Sequence, residues 1–81
     1  MINTNDEANI WAIASVNLSV KSTKNIIKSI KVFDVLGRLL ADYPEVNSYE
    51  IPLIKIQKNK VALIIQVTLL NESIVNKKVI Y

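Results

Sequence analysis

The sequence predicts an all-β domain, a small sandwich of seven short antiparallel strands, for three reasons. Isoleucine and valine fill 22 of 81 positions, whereas alanine fills 5. β-Branched side chains suit a pleated strand and are stiff in helices. Apolar and polar residues also alternate over several short runs, and turn-forming residues separate those runs. Finally, a single glycine and two prolines exclude a collagen-like or Gly/Pro-rich disordered chain.

The first three strands are predicted in the N-terminal part of the chain. Residues 11–14 are a short first strand, and residues 16–20 alternate without interruption. Polar residues 22–25 then break the pattern. Residues 22–31 keep too little helical spacing for a helix, so they are interpreted as a turn that enters a third strand at residues 30–36.

Gly37 separates the third strand from a fourth at residues 38–43. The segment 44–48 contains turn residues and precedes a fifth strand at residues 49–53. Proline lacks the backbone N–H that a central strand needs, so Pro52 indicates a sheet edge or a strand end.

Residues 54–60 connect to the longest predicted strand, residues 61–70. Its alternation places five apolar residues on one face: Val61, Leu63, Ile65, Val67 and Leu69. Asn71-Glu72 is predicted as a tight turn in which asparagine tolerates a positive φ. Residues 73–80 form the closing strand, and Trp11 near the start is expected to serve packing.

Composition argues against several classes of function. The chain lacks cysteine and histidine, which excludes disulfides and removes the usual general base and metal ligands. We therefore expect no enzyme, no catalytic residue, no metal and no cofactor. The net charge is +3 and only Lys77-Lys78 are adjacent, which argues against a nucleic-acid patch. The apolar run at residues 61–70 is well short of the roughly 20 residues of a transmembrane helix.

The most specific window surrounds the only glycine, between two apolar runs. Gly37 is expected to supply a positive φ in a hairpin turn, where a Cβ is unfavourable. Asp34 is placed to accept hydrogen bonds from the N–H groups of that turn, and Arg38 to pair with Asp34. The pattern on its own predicts a well-formed β-hairpin.

Four segments resemble the C-terminal sorting domains of type IX secretion system cargo proteins. The run IKVFDVLGRLL, residues 30–40, is similar to the first motif of that family. Residues 47–51 and 62–69 resemble its middle and long strands. Residues 75–80, VNKKVI, resemble its closing strand. The resemblance spans residues 16–81, although the last hairpin has Asn-Glu-Ser where the family commonly has a glycine.

The resemblance implies a seven-stranded immunoglobulin-like sandwich that acts as a folded sorting signal at the C-terminal end of a longer cargo protein. Residues 1–15 would be a linker with the first short strand, and residues 16–81 the monomeric sorting domain. Its expected partners are the outer-membrane translocon, a shuttle protein and a cell-surface sortase. The cargo would pass through the periplasm and the outer membrane to be secreted or held at the cell surface.

Recognition of a folded label needs a presented surface rather than catalytic groups. Two segments are candidates, and their residues are Asp34, Gly37, Arg38, Lys77, Lys78, Val79, Ile80 and Tyr81. The closing strand could pair with a partner strand, and its cations could meet acidic surfaces. The alternative is that Gly37 only turns the chain and that the lysines only keep an edge strand soluble. A generic immunoglobulin- or fibronectin-like structural or adhesive module is the rival function.

Overall fold

The computed structural model describes residues 9–81, and the predicted linker before residue 9 lies outside them. The described part contains seven strands and no helix, as the sequence predicts. The strands are β1 (Ile10–Ala14), β2 (Leu18–Ser22), β3 (Ile27–Asp34), β4 (Leu39–Tyr43), β5 (Glu50–Pro52), β6 (Ala62–Leu69) and β7 (Ile74–Ile80). No helix of this part is long and apolar enough to cross a membrane.

The strands form two antiparallel sheets. One has the order β1-β2-β5 and the other the order β4-β3-β6-β7. The chain therefore changes sheets between β2 and β3, between β4 and β5, and between β5 and β6. Strand β5 is an edge strand that ends at Pro52, which confirms the interpretation of that proline.

One hydrophobic core receives side chains from both sheets. Strand β6 shows the alternation most clearly, since Leu63, Ile65, Val67 and Leu69 are all buried. The predicted inward face of the long strand is thus confirmed from Leu63 onward. Val61 is an exception, because it precedes the strand and stays 43% exposed. Burial of such side chains is the main favourable contribution to the free energy of folding in a domain of this size.

Two strands differ from their predicted bounds by two residues or more. Strand β2 begins at Leu18, because Val16 lies in the β1–β2 turn and is 83% exposed. Strand β3 begins at Ile27, whose N–H donates to the carbonyl of Ser48, and it ends at Asp34. Strand β1 belongs to the folded body, since Ile10 is buried in the core.

The β3–β4 and β6–β7 hairpins use the same three-residue loop. In the first, Gly37 N–H donates to the Asp34 carbonyl, and Asp34 N–H donates to the Arg38 carbonyl. In the second, Glu72 N–H donates to the Leu69 carbonyl, and Leu69 N–H to the Ser73 carbonyl. The positive φ of this loop falls on Glu72 (70°) rather than on Asn71, which corrects the prediction for this turn. Asn71 instead accepts a hydrogen bond from Ser73 N–H through its side chain.

A buried tyrosine holds the connection between β5 and β6. The Tyr43 hydroxyl accepts a hydrogen bond of 3.0 Å from Lys55 N–H, and the Lys55 ammonium lies 4.8 Å from the centre of the Tyr43 ring. Burial raises the pKa of the Tyr43 phenol, although the Lys55 hydrogen bond acts in the opposite direction. The connection thereby covers the side of the sandwich between β4 and β5.

Candidate partner-recognition surface

The β3–β4 loop is organised by the carboxylate of Asp34, as the sequence predicts. Its Oδ1 accepts hydrogen bonds of 2.9 Å from the backbone N–H groups of Leu36 and Arg38. Its Oδ2 accepts one of 2.6 Å from the Arg38 side chain. Both carboxylate oxygens are therefore engaged within the loop, and only 14% of the Asp34 side chain is exposed. Arg38 leaves 72% of its side chain exposed.

Gly37 has the predicted positive φ, at 83°. A Cβ built at this position would meet no atom within 4 Å. The positive φ, and not a lack of space, therefore favours glycine here. The two residues before it, Val35 and Leu36, are 61% and 76% exposed. The loop tip therefore presents two apolar side chains on a backbone that Asp34 holds in place.

The Arg38 backbone N–H, with further hydrogen bonds from the Arg38 side chain and Leu36 N–H, lowers the pKa of Asp34 below its ordinary value of 3.8; burial opposes this effect only in part. A carboxyl with a lower pKa in the folded state stabilises the fold fully above its unfolded-state pKa. That contribution is lost as the pH falls through the lower, folded-state value.

We expect Asp34→Asn to reduce the free energy of unfolding at neutral pH and to flatten its decline in acid, because asparagine cannot ionise. Urea unfolding of both proteins as a function of pH measures the difference. The stabilities of the two proteins should converge at pH values below the folded-state pKa of Asp34. A constant difference down to strongly acidic pH would contradict this role of the carboxylate.

The second candidate segment is the last strand of the four-stranded sheet. Strand β7 pairs with β6 along its whole length, from Thr68 opposite Ile74 to Ala62 opposite Ile80. Lys77 lies opposite the buried Ile65, so it faces the core side of the sheet and is only half-buried. Lys78 faces the outer side, as does Ile80, which is 69% exposed.

Tyr81 is a buried anchor rather than a presented side chain, since only 7% of it is exposed. Its hydroxyl donates to the Val16 carbonyl over 3.1 Å, and its N–H donates to the Val61 carbonyl. Its own carbonyl accepts hydrogen bonds from Asn59 and Lys60 N–H. Tyr81 thus joins β7 to the β1–β2 turn and to the connection before β6.

The two candidate segments meet at one end of the four-stranded sheet. Asp34 lies opposite Leu63, and Leu63 lies opposite Val79, so the three residues form one row across β3, β6 and β7. Two strand spacings place Asp34 and Val79 about 10 Å apart. The β3–β4 loop and the end of β7 are therefore available to one partner at the same time.

The outer face at this end is apolar, which the sequence reasoning missed. Leu39, Phe33 and Ile64 are neighbours in the adjacent row, and Lys78 follows Ile64 on β7. Ile80, opposite Ala62, lies on the same face two rows nearer the end. We call Phe33, Leu39, Ile64 and Ile80 the end patch. The clue in the sequence was the unbroken apolar run at residues 61–65, where alternation would have placed a polar residue at position 64.

On the outer face, polar residues border the end patch on the side toward the middle of the strands. The next row on the same face consists of Asp42, Lys31, Gln66 and Asn76. A β-bulge at Leu40 separates the two rows on β4, because Val32 pairs with Ala41 whereas Phe33 pairs with Leu39. The end patch is thus separated by a polar row from Ile74, the exposed apolar residue on the same face at the other end of β7.

Comparison with models of known protein families assigns the chain to one of them. The model of the domain of unknown function DUF8694 matches residues 2–81. The chain belongs to the DUF8694 family. No curated protein matches it. The family description gives no activity.

The three-stranded sheet of the DUF8694 domain presents a second, smaller apolar area. Trp11 is 49% exposed and Ile13 is 44% exposed, both on the outer face of β1. Trp11 is thus not a core residue, because β1 alternates and the inward positions belong to Ile10 and Ala12. Its neighbour across the sheet is Lys21, and Lys21 lies opposite Glu50.

The acidic side chains that the structure describes do not gather at one place. Within residues 9–81, no three side chains of the histidine, cysteine, aspartate or glutamate type form a group that could hold a metal ion. The carboxylate of Asp34 is held by its own loop, and that of Glu72 pairs with Lys28 over 2.9 Å near the opposite end of the sheet.

Proposed function

We propose that this chain is the C-terminal sorting domain of a longer cargo protein, which the type IX secretion system exports across the outer membrane. In this proposal the folded domain is recognised by the translocon and the shuttle protein, and a cell-surface sortase then removes it. The domain itself performs no catalytic step. Its role is to present a surface that other proteins bind.

The observation that supports the proposal most strongly is the juxtaposition of the two resembling segments. The Asp34–Arg38 loop and the Lys78–Ile80 strand end are 40 or more positions apart in sequence, yet they lie at one end of one sheet. The hydrogen bonds of Asp34 and of Tyr81 fix both segments. A fixed pair of segments suits a label that is read in its folded form, because binding then costs little conformational entropy.

We also propose that the sandwich is immunoglobulin-like. Seven antiparallel strands in two sheets with connections between the sheets are in keeping with that architecture. In the constant-type domain, the fourth strand lies beside the fifth in the first sheet. Here β4 lies beside β3 in the second sheet instead, which gives three strands against four.

A structural or adhesive module is the second candidate, and the exposed Trp11 with Ile13 favours it. Exposed aromatic side chains on one sheet are suited to binding another surface. Such a module would depend on Trp11 and would work at any position in a longer protein. A sorting domain would depend on the end of the four-stranded sheet and on being the last domain.

An export assay tests the proposed function. We expect a reporter fused before residues 1–81 to reach the surface or the medium of a bacterium that has the type IX system. The matched control carries Ile65→Asp, which puts a charge into the core and should reduce export to the level of the reporter alone. Retention of the folded wild-type fusion in the periplasm would refute the proposal.

A further inference from the structure

We propose that the end patch, together with the cations around it, binds an acidic and apolar segment of a partner protein. The inference rests on the proposed function, because it takes that partner to be a component of the export machinery. The end patch combines the half-buried Phe33 and Ile64 with Leu39 and Ile80, which are 52% and 69% exposed. Contiguous apolar surface bounded by polar residues is typical of binding sites.

Binding is expected on the face of the four-stranded sheet, not at its edges. At the β4 edge, the bulge at Leu40 interrupts the strand, and Lys55 Nζ donates a hydrogen bond to the Asp42 carbonyl. At the β7 edge, Lys77 turns a charged side chain toward the core side. Bulges and inward-facing charges oppose the addition of another strand. The outer face has no such obstacle at its apolar end.

The charges at this end determine the chemistry of the partner. Lys78 ends the row of Leu39, Phe33 and Ile64 on β7, and Arg38 is the residue that precedes Leu39 at the other end of that row. The Lys60 backbone lies at the same end of the sheet as Ile80, since its N–H donates to the Tyr81 carbonyl. Two carboxylates lie near the patch, and each has a cation beside it: Asp34 pairs with Arg38, and Asp42 lies opposite Lys31 in the next row of the outer face. The exposed Lys78 and Lys60 therefore leave a surplus of positive charge. Apolar surface with a surplus of exposed cations is complementary to apolar residues interspersed with acidic ones.

The same geometry disfavours two other occupants. A second copy of this chain would bring Arg38 and Lys78 close to cations of the same kind. A lipid surface is suited by a broad apolar face, whereas the end patch is bounded by the polar row of Asp42, Lys31, Gln66 and Asn76. A short protein segment can cover an area of this size.

The test is a titration of the ¹⁵N-labelled chain with a short peptide in which leucine and glutamate alternate. We expect amide shifts at the end patch and at Lys78, and none on the β1-β2-β5 sheet. Ile80→Ser and Lys78→Glu should each weaken binding about fivefold or more. The matched control is Ile74→Ser, because Ile74 lies on the same face of β7 at its other end and is 58% exposed. It should leave the affinity unchanged.

Other outcomes would overturn the inference. These are equal binding of a peptide in which leucine and lysine alternate, amide shifts mainly on the β1-β2-β5 sheet, or an Ile74→Ser effect as large as that of Ile80→Ser. Tighter binding to phosphatidylglycerol vesicles than to the acidic peptide would overturn it in favour of a lipid surface. The titration needs no secretion system, so its failure would be distinct from a failure of the export assay.

Discussion

Replacing Tyr81 with alanine is expected to destabilise the domain by about 3–5 kcal/mol, the range measured for removal of large buried aromatic side chains. Tyr81 is buried, and its ring fills space between β7, the β1–β2 turn and the connection before β6. A core of this size supplies a net stability of only about 3–5 kcal/mol. We therefore expect Tyr81→Ala to be largely unfolded at 25 °C, as measured by circular dichroism and urea titration.

Two substitutions separate the contributions at this position. Tyr81→Phe keeps the ring and removes the hydroxyl that donates to the Val16 carbonyl, which should cost about 0.5–1.5 kcal/mol. Ile80→Ala changes the adjacent, exposed side chain and should change stability by less than about 0.5 kcal/mol. If Tyr81→Ala were as stable as Ile80→Ala, the anchoring role of Tyr81 would be wrong.

The anchor affects how the sorting proposal is tested. Deletion of residues 77–81 would remove the exposed Lys78 and Ile80 together with the buried Tyr81. Loss of export after such a deletion would not separate loss of a recognition surface from loss of the fold. Single substitutions at Lys78 and Ile80 make that separation, because both side chains are exposed.

The second large effect is expected at Ile65, in the middle of the core. Strand β6 lies between β3 and β7, and Ile65 pairs with Val32 on one side and with Lys77 on the other. Its side chain is fully buried, so Ile65→Ala removes apolar contacts and leaves a cavity. The expected loss is about 2–5 kcal/mol, measured by urea unfolding.

Ile74→Ala is the matched control for Ile65→Ala. It makes the same chemical change on the neighbouring strand β7, at a side chain that is 58% exposed. We expect a loss of less than about 0.5 kcal/mol there. Equal losses for the two variants would mean that the core does not have the arrangement described above.

Local features of the fold could be predicted from the sequence, because they depend on near neighbours. The alternation of β6 and the positive φ of Gly37 followed from period-two patterning and from the steric freedom of glycine. The β2 boundary did not follow, because Val16 continues the alternation although it lies in a turn. In the β6–β7 turn, residue preference favoured Asn71, but the loop geometry places the positive φ at Glu72.

The candidate surface was less predictable, because it depends on pairing between distant strands. Asp34, Arg38 and Lys78 could be chosen from motifs, but only the register of β3, β6 and β7 places them at one end. The same register puts Phe33 and Ile64 side by side on the outer face. The broken alternation at Ile64 indicates an apolar residue on the outer face, but an apolar residue in a strand does not reveal in advance whether its face will be covered.

The bond between the Tyr81 hydroxyl and the Val16 carbonyl has a consequence for the order of folding. It joins positions 65 residues apart, and contacts of such separation form after local hairpins because a long loop must close first. The β3–β4 and β6–β7 hairpins can form early, whereas we expect the hydrogen bond between Tyr81 and Val16 to form late in folding. Interactions made late in folding act mainly on the rate of unfolding. We therefore expect Tyr81 to slow the unfolding of the folded domain.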